Sequence, residues 1–85
     1  MGEDIMNISE ATRLRILELC RERGITVNKL STICGLTQST LNNLMHRQNS
    51  SPTVSTVKKI CDGLEITMKD FFTSSIFDQT EQEIE

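Results

Sequence analysis

The chain is expected to be all-α, a cluster of five short helices, on three observations. Apolar residues return every three or four positions along most of its 85 residues, the spacing of one helix face. An Asn or Thr stands before each of five such segments, where its side-chain oxygen can accept a bond from an N–H that the first helical turn leaves unpaired. Strand signals, by contrast, do not repeat anywhere.

The first helix is expected from Ile8 to Arg23. Asn7 caps it with Glu10 three residues on, in the pattern of a capping box. Ile8, Thr12, Ile16, Leu19 and Cys20 form its inner face, and Gly24 ends it by taking the left-handed conformation cheaply. Thr26 opens a second helix marked by Leu30 and Ile33, and Thr37 a third marked by Leu41, Leu44 and Met45. Thr53 opens a fourth on Val54, Val57, Ile60, Cys61 and Leu64, and Pro52 keeps the third from running into it. Thr67, with Asp70 as its box partner, opens a fifth on Met68, Phe71 and Phe72. None of these helices is long enough to persist alone in water, so they must bury their stripes against one another. Gly63, inside the fourth, costs about 1 kcal/mol relative to Ala and has no explanation at this level.

The expected organisation is a flexible N-terminus over 1–7, one domain over 8–73 and an acidic tail over 74–85. The tail carries Ile76, Phe77 and Ile84. Three outcomes are open for it: it frays, it docks Ile76 and Phe77 on apolar surface that Leu14 and Leu17 help to supply, or it joins a dimer interface.

Composition narrows the function. Hydrophobic content is 36% and the only aromatics are three Phe, so the core is aliphatic. No apolar run approaches the ~20 residues of a membrane span, and the N-terminus lacks a secretory pattern. Three cysteines, Cys20, Cys34 and Cys61, with one His and no C-x-x-C, supply neither a disulfide framework nor a zinc site. No metal and no cofactor is expected. An enzyme is not expected either, because the scattered thiols and His46 have no cleft in which a base could activate a nucleophile.

The net charge of −3 conceals a division. Residues 1–10 contribute −3, residues 61–85 contribute −6, and residues 11–60 contribute +6 through Arg13, Arg15, Arg21, Arg23, Lys29, Arg47, Lys58 and Lys59 against Glu18 and Glu22. From Arg23 to Cys61 there is no carboxylate at all. A polyanionic partner is therefore compatible with the central region although the whole chain is acidic.

The second and third helices are separated by Gly35-Leu36-Thr37, the spacing of a helix-turn-helix, with Gly35 placed to supply the positive φ of the corner and the small Ser31 where the helices approach. On a helical wheel of 38–46, Leu41, Leu44 and Met45 face inward and Thr40 lies at the border. Ser39, Asn42, Asn43 and His46 face outward, with Gln38 in the exposed first turn. Amides and hydroxyls without carboxylates suit base edges: Gln or Asn can bond adenine N6 and N7 together, and Ser can bond donor or acceptor.

From Leu14 to Phe72 the chain resembles the Cro/repressor-type (XRE) helix-turn-helix regulators of phages and bacteria. The resemblance is carried by Arg23-Gly24-Ile25-Thr26, Leu30-Ser31, Cys34-Gly35-Leu36-Thr37, Ser39-Thr40-Leu41, Leu44, Ser51-Pro52-Thr53, and Ile66-Thr67 with Asp70-Phe71-Phe72. It implies a repressor-like five-helix DNA-binding domain whose third helix enters the major groove. The base readers it implies are Gln38, Ser39, Asn42 and Asn43. Phosphate contacts fall to Thr26, Val27, Asn28 and Lys29 at the start of the second helix, to Thr37, and to Arg47, Asn49 and Ser50 after the third. Many members join the first and third helices through a buried Arg–Glu pair; this chain has Cys20 and Met45 there. Many have Gly where this chain has Arg47, and Gln where it has Val27.

The resemblance implies a sequence-specific transcriptional regulator, cytoplasmic and bacterial or phage-encoded, binding double-stranded DNA as a homodimer on a palindromic operator. With no room for a ligand-sensing domain, control is expected through concentration, a partner protein or proteolysis. The alternative is a protein-interaction module on the same fold, such as an antitoxin, engaging a protein partner through the acidic tail.

Overall fold

In a computed structural model, residues 7–46 and 52–80 are described. They form α1 (Ile8–Arg23), α2 (Val27–Cys34), α3 (Gln38–His46), α4 (Val54–Leu64), α5 (Met68–Phe71) and a closing 3-10 helix (Ser75–Gln79). The five α-helices start where their caps predict, and α1 and α2 stop at the expected glycines, Gly24 and Gly35.

Local chemistry sets those boundaries. Asn7 Oδ1 accepts from the Glu10 N–H at 2.8 Å. Thr26, Thr37, Thr53 and Thr67 accept through Oγ1 from the N–H three residues on, at 3.0 to 3.1 Å. Each such cap is worth about 1 kcal/mol. Among the described residues, neither the Glu10 nor the Asp70 carboxylate returns a bond to the cap, so only the forward half of each expected box forms. Gly24 and Gly35 hold φ of 64° and 71°. At the end of α4 a non-glycine, Glu65, takes the same left-handed role at φ 60°.

The core gathers Ile16, Leu19, Cys20, Leu30, Leu44, Val57, Ile60, Cys61, Leu64 and Phe71. Three apolar residues placed on inner faces by spacing alone lie outside it: Ile8 is 36% exposed, Ile33 41% and Val54 75%. All three sit at or near the ends of their helices, where the face turns away from the packed centre. Phe72, also counted inward, is 43% exposed.

Gly63 is explained by the packing of α2 on α4. A Cβ at Gly63 would lie 2.5 Å from Cys34 Sγ and 3.1 Å from Cys34 Cα. The two helices approach so closely that no side chain fits between them, and Cys34 Sγ reaches the Ile60 carbonyl oxygen at 3.8 Å.

Through Thr80 the tail folds back as the 3-10 helix and packs against α1. Phe77 packs on the core, with its ring 5.0 Å from that of Phe72 and 6.2 Å from that of Phe71. Leu14 stays 43% exposed. Ile84 and the rest of the acidic end lie outside the described residues.

Candidate nucleic-acid interface

The corner between α2 and α3 is built by backbone geometry. Gly35 takes positive φ and its N–H donates to the Ser31 carbonyl oxygen. The Leu36 N–H donates to the same oxygen at 2.9 Å. Ser31 is buried, and its hydroxyl turns back to donate to the Asn28 carbonyl oxygen at 2.7 Å. Three residues, Gly35-Leu36-Thr37, separate the two helices, and α3 begins at Gln38.

Leu41 and Leu44 anchor α3 in the interior, and Met45 packs partly against the core. Gln38, Ser39, Asn42, Asn43 and His46 are exposed, and Thr40 is intermediate, as the wheel predicts. The Gln38 amide N–H donates to Asn42 Oδ1 at 3.5 Å, one helical turn on. That long contact leaves the Gln38 carbonyl and the Asn42 amino group without a hydrogen bond among the described residues.

A groove of about 270 Å³ separates the start of α2 from α3. Val27, Leu41 and Met45 contribute apolar surface, Asn28, Gln38 and Asn42 polar groups, and no carboxylate lines it. Val27 is half-buried and packs on the core, so at this position only the backbone N–H is suited to an anion. The N–H groups of Val27 and Asn28 have no intrahelical acceptor. Lys29 N–H is already taken by Thr26 Oγ1. Thr26, Asn28, Lys29 and Thr37 are exposed. The Thr37 hydroxyl is occupied on both counts, donating to Thr40 Oγ1 at 2.9 Å and accepting from Thr40 N–H. Arg47, Asn49 and Ser50 lie outside the described residues.

Two arginines counted toward the basic centre serve the fold instead. Arg15 is buried: its Nε donates to the Phe71 carbonyl oxygen at 2.7 Å, Nη2 to the Asp70 carbonyl oxygen at 2.8 Å, and Nη1 pairs with Glu18 at 2.6 Å. Arg13 Nε donates to the Leu44 carbonyl oxygen in α3 at 3.1 Å. Spacing offered no sign of either role, because the acceptors are carbonyls on elements 31 to 56 residues away. A third base, Lys58, pairs with Asp62 at 2.6 Å on the surface.

Burial pushes the Cys20, Cys34 and Cys61 thiols above their ordinary range; the neighbouring cysteines add to this at Cys34, and Asp62 adds at Cys61. A thiol so shifted stays protonated at neutral pH, the opposite of what a nucleophile needs. Among the described residues no cluster of His, Cys, Asp or Glu could hold a metal ion, and no helix is long and apolar enough to cross a membrane. A second groove, of about 530 Å³, involves Arg15, Glu18, Glu22, Arg23 and Asp70 but no α3 residue.

Comparison with known proteins agrees with this architecture. The family model for the Cro/C1-type HTH (helix-turn-helix) DNA-binding domain matches residues 15–75. Among solved structures, that of the prophage Lp1 protein 11 is similar, with 31% sequence identity and a TM-score of 0.76 over 82% of this chain and 92% of the other. No curated protein matches.

Proposed function

The chain belongs to the Cro/C1-type helix-turn-helix DNA-binding family, and on that basis we propose that it is a sequence-specific regulator that reads the major groove with α3. DNA binding is the property of the family; the operator, its symmetry and the reading residues are the proposal. The observation that carries it is the outward side of α3. Gln38, Ser39, Asn42 and Asn43 are exposed together on a helix whose opposite side is held by Leu41 and Leu44. The continuous run without carboxylates from Arg23 to Cys61 keeps that side from repelling phosphate.

In the proposed complex, Gln38 and Asn43 bond the N6 and N7 edge of adenines, and Ser39 and Asn42 complete the face. α3 has no Arg or Lys within Gln38–His46, so its contacts favour A·T over guanine. The first-turn N–H groups of α2, at the positive end of its dipole, take a phosphate with Thr26, Asn28 and Lys29 around them. Arg47, Asn49 and Ser50 grip the backbone beyond α3. Two copies on a palindrome would place their reading helices about one DNA turn (~34 Å) apart, in a bacterial or phage-infected cytoplasm.

The interaction-module alternative is less well supported. Phe77 and the 3-10 helix are engaged with α1 and with Phe71 and Phe72, so the apolar part of the tail through Phe77 contributes to this chain's own fold. Selection of bound sites from a random duplex pool at physiological salt tests the proposal. A palindromic, A·T-leaning consensus is expected; a pool that shows no enrichment would remove the regulator reading.

A further inference from the structure

We propose that Arg13 is a positioning residue for DNA recognition: it clamps the C-terminal end of α3 to α1 and so sets the angle at which the reading side chains are presented. This rests on the role proposed for α3 above. α3 has nine residues and places two side chains, Leu41 and Leu44, fully in the interior. Two buried anchors on one stripe, with Met45 packed only partly beside them, fix the depth of a short rod but resist rolling and tilting poorly. A directional contact off that stripe supplies the missing constraint, because a hydrogen bond weakens steeply as it bends.

Arg13 makes that contact. Its Nε–H donates to the Leu44 carbonyl oxygen at 3.1 Å, and among the described residues this is the hydrogen bond that joins α3 to another helix. Leu44 lies in the last turn of α3, where carbonyls lack intrahelical partners. The guanidinium charge also complements the negative end of the helix dipole there. A role in gripping phosphate fits the geometry less well. Arg13 Nη2 is buried and has no partner among the described residues, whereas an arginine aimed at DNA would hold that nitrogen in solvent. That end of the side chain is turned inward even though one of its donors goes unmatched among the described residues.

The test uses the full chain with Arg13→Met, which keeps a long unbranched stem and removes the donor, and Arg13→Lys, which keeps a charge and a donor. Amide hydrogen exchange is followed by NMR without DNA. Affinity is measured for the selected operator and for a scrambled duplex across a range of salt. In Arg13→Met the α3 amides should exchange about tenfold faster, the equivalent of one lost charge-assisted bond, while those of α1, α2 and α4 hold. The operator-to-scrambled ratio should fall roughly tenfold, the discrimination of about one bidentate base contact, with an unchanged salt slope. Arg13→Lys should recover most of both. Unchanged α3 protection, or an unchanged ratio, overturns the proposal. An equal loss on both duplexes with the salt slope lowered by about one makes Arg13 a phosphate contact, which also overturns it. A wild-type chain with no operator preference sinks the regulator reading and with it the recognition role of Arg13, whereas the exchange result separately decides whether the clamp exists.

Discussion

Gly63 shows how one residue can invert an expectation drawn from helix propensity. In an exposed helix, Gly→Ala gains about 1 kcal/mol. Here the added methyl would meet Cys34 Sγ at 2.5 Å, so Gly63→Ala should lower stability by roughly 1–3 kcal/mol in urea denaturation. Adding Cys34→Ala should recover part of the loss, because it removes the sulfur but not the backbone atom at 3.1 Å. Glu65 offers the opposite case. Its left-handed conformation at φ 60° costs about 1 kcal/mol for a residue with a Cβ. Glu65→Gly should therefore raise the melting temperature by several degrees, on a scale of about 4–8 °C per kcal/mol for a domain of this size. On the reading face, Gln38 and Asn43 are exposed and lie outside the core. Gln38→Ala and Asn43→Ala should each cost about 1–3 kcal/mol of operator discrimination while leaving the melting temperature nearly unchanged. Full operator affinity in both variants would refute the assigned readers.

Among the elements, α5 is the one least able to stand alone. It has four residues, less than a lone helix needs in water, and its stability comes from its surroundings. Phe71 is fully buried and Thr67 caps the start. Arg15 of α1 takes the carbonyl oxygens of Asp70 and Phe71 at the other end. Arg15→Met keeps most of the aliphatic packing but leaves those carbonyls and Glu18 without their partner. A loss of roughly 2–4 kcal/mol is expected, with amide protection disappearing first over 68–72. If α5 keeps its protection in that variant, Phe71 and the Thr67 cap are sufficient to hold it.

For the whole molecule, the charge available to DNA is smaller than a count along the chain implies. Arg15 is paired with Glu18 and bonded to α5, Arg13 is turned to Leu44, and Lys58 is paired with Asp62. The dependence of log affinity on log salt should be shallower than about −5 per protomer, the value for six phosphate contacts. A steeper slope would mean that the internally bonded arginines are released on binding. The three thiols, Cys20 and Cys61 buried and Cys34 half-buried, set the pH response. Their folded values are raised, so in alkali the unfolded chain ionises first and binds fewer protons than the folded one. Stability should be level through neutral pH and fall as pH climbs through the ordinary thiol range near ~8.5. Lys58, raised mainly by its bond to Asp62, acts in the same direction, because its contribution is present below its unfolded value and lost above the folded one. Equal urea midpoints at pH 7.5 and 9.5 under reducing conditions would contradict this.

Much of the fold was legible in the residue order. Caps and stop signals act within three or four residues, so Asn7, Thr26, Thr37, Thr53 and Thr67 placed the helix starts, and Gly24 and Gly35 the corners. The outward side of α3 was legible for the same reason: a helix of nine residues with a leucine at 41 and 44 has little freedom in which side it exposes. What the order of residues left open was decided between elements far apart in the chain. It could not say that Gly63 exists to admit Cys34, that Val54 and Ile33 stay in solvent, or that Phe77 returns to Phe71 and Phe72. Nor could it separate the arginines that face outward from Arg13 and Arg15, whose acceptors are carbonyls on distant helices. Local patterns are set by the period of the helix and the first shell of backbone donors. Which apolar groups are covered, and which charges turn inward, depends on the volume left when five rods meet.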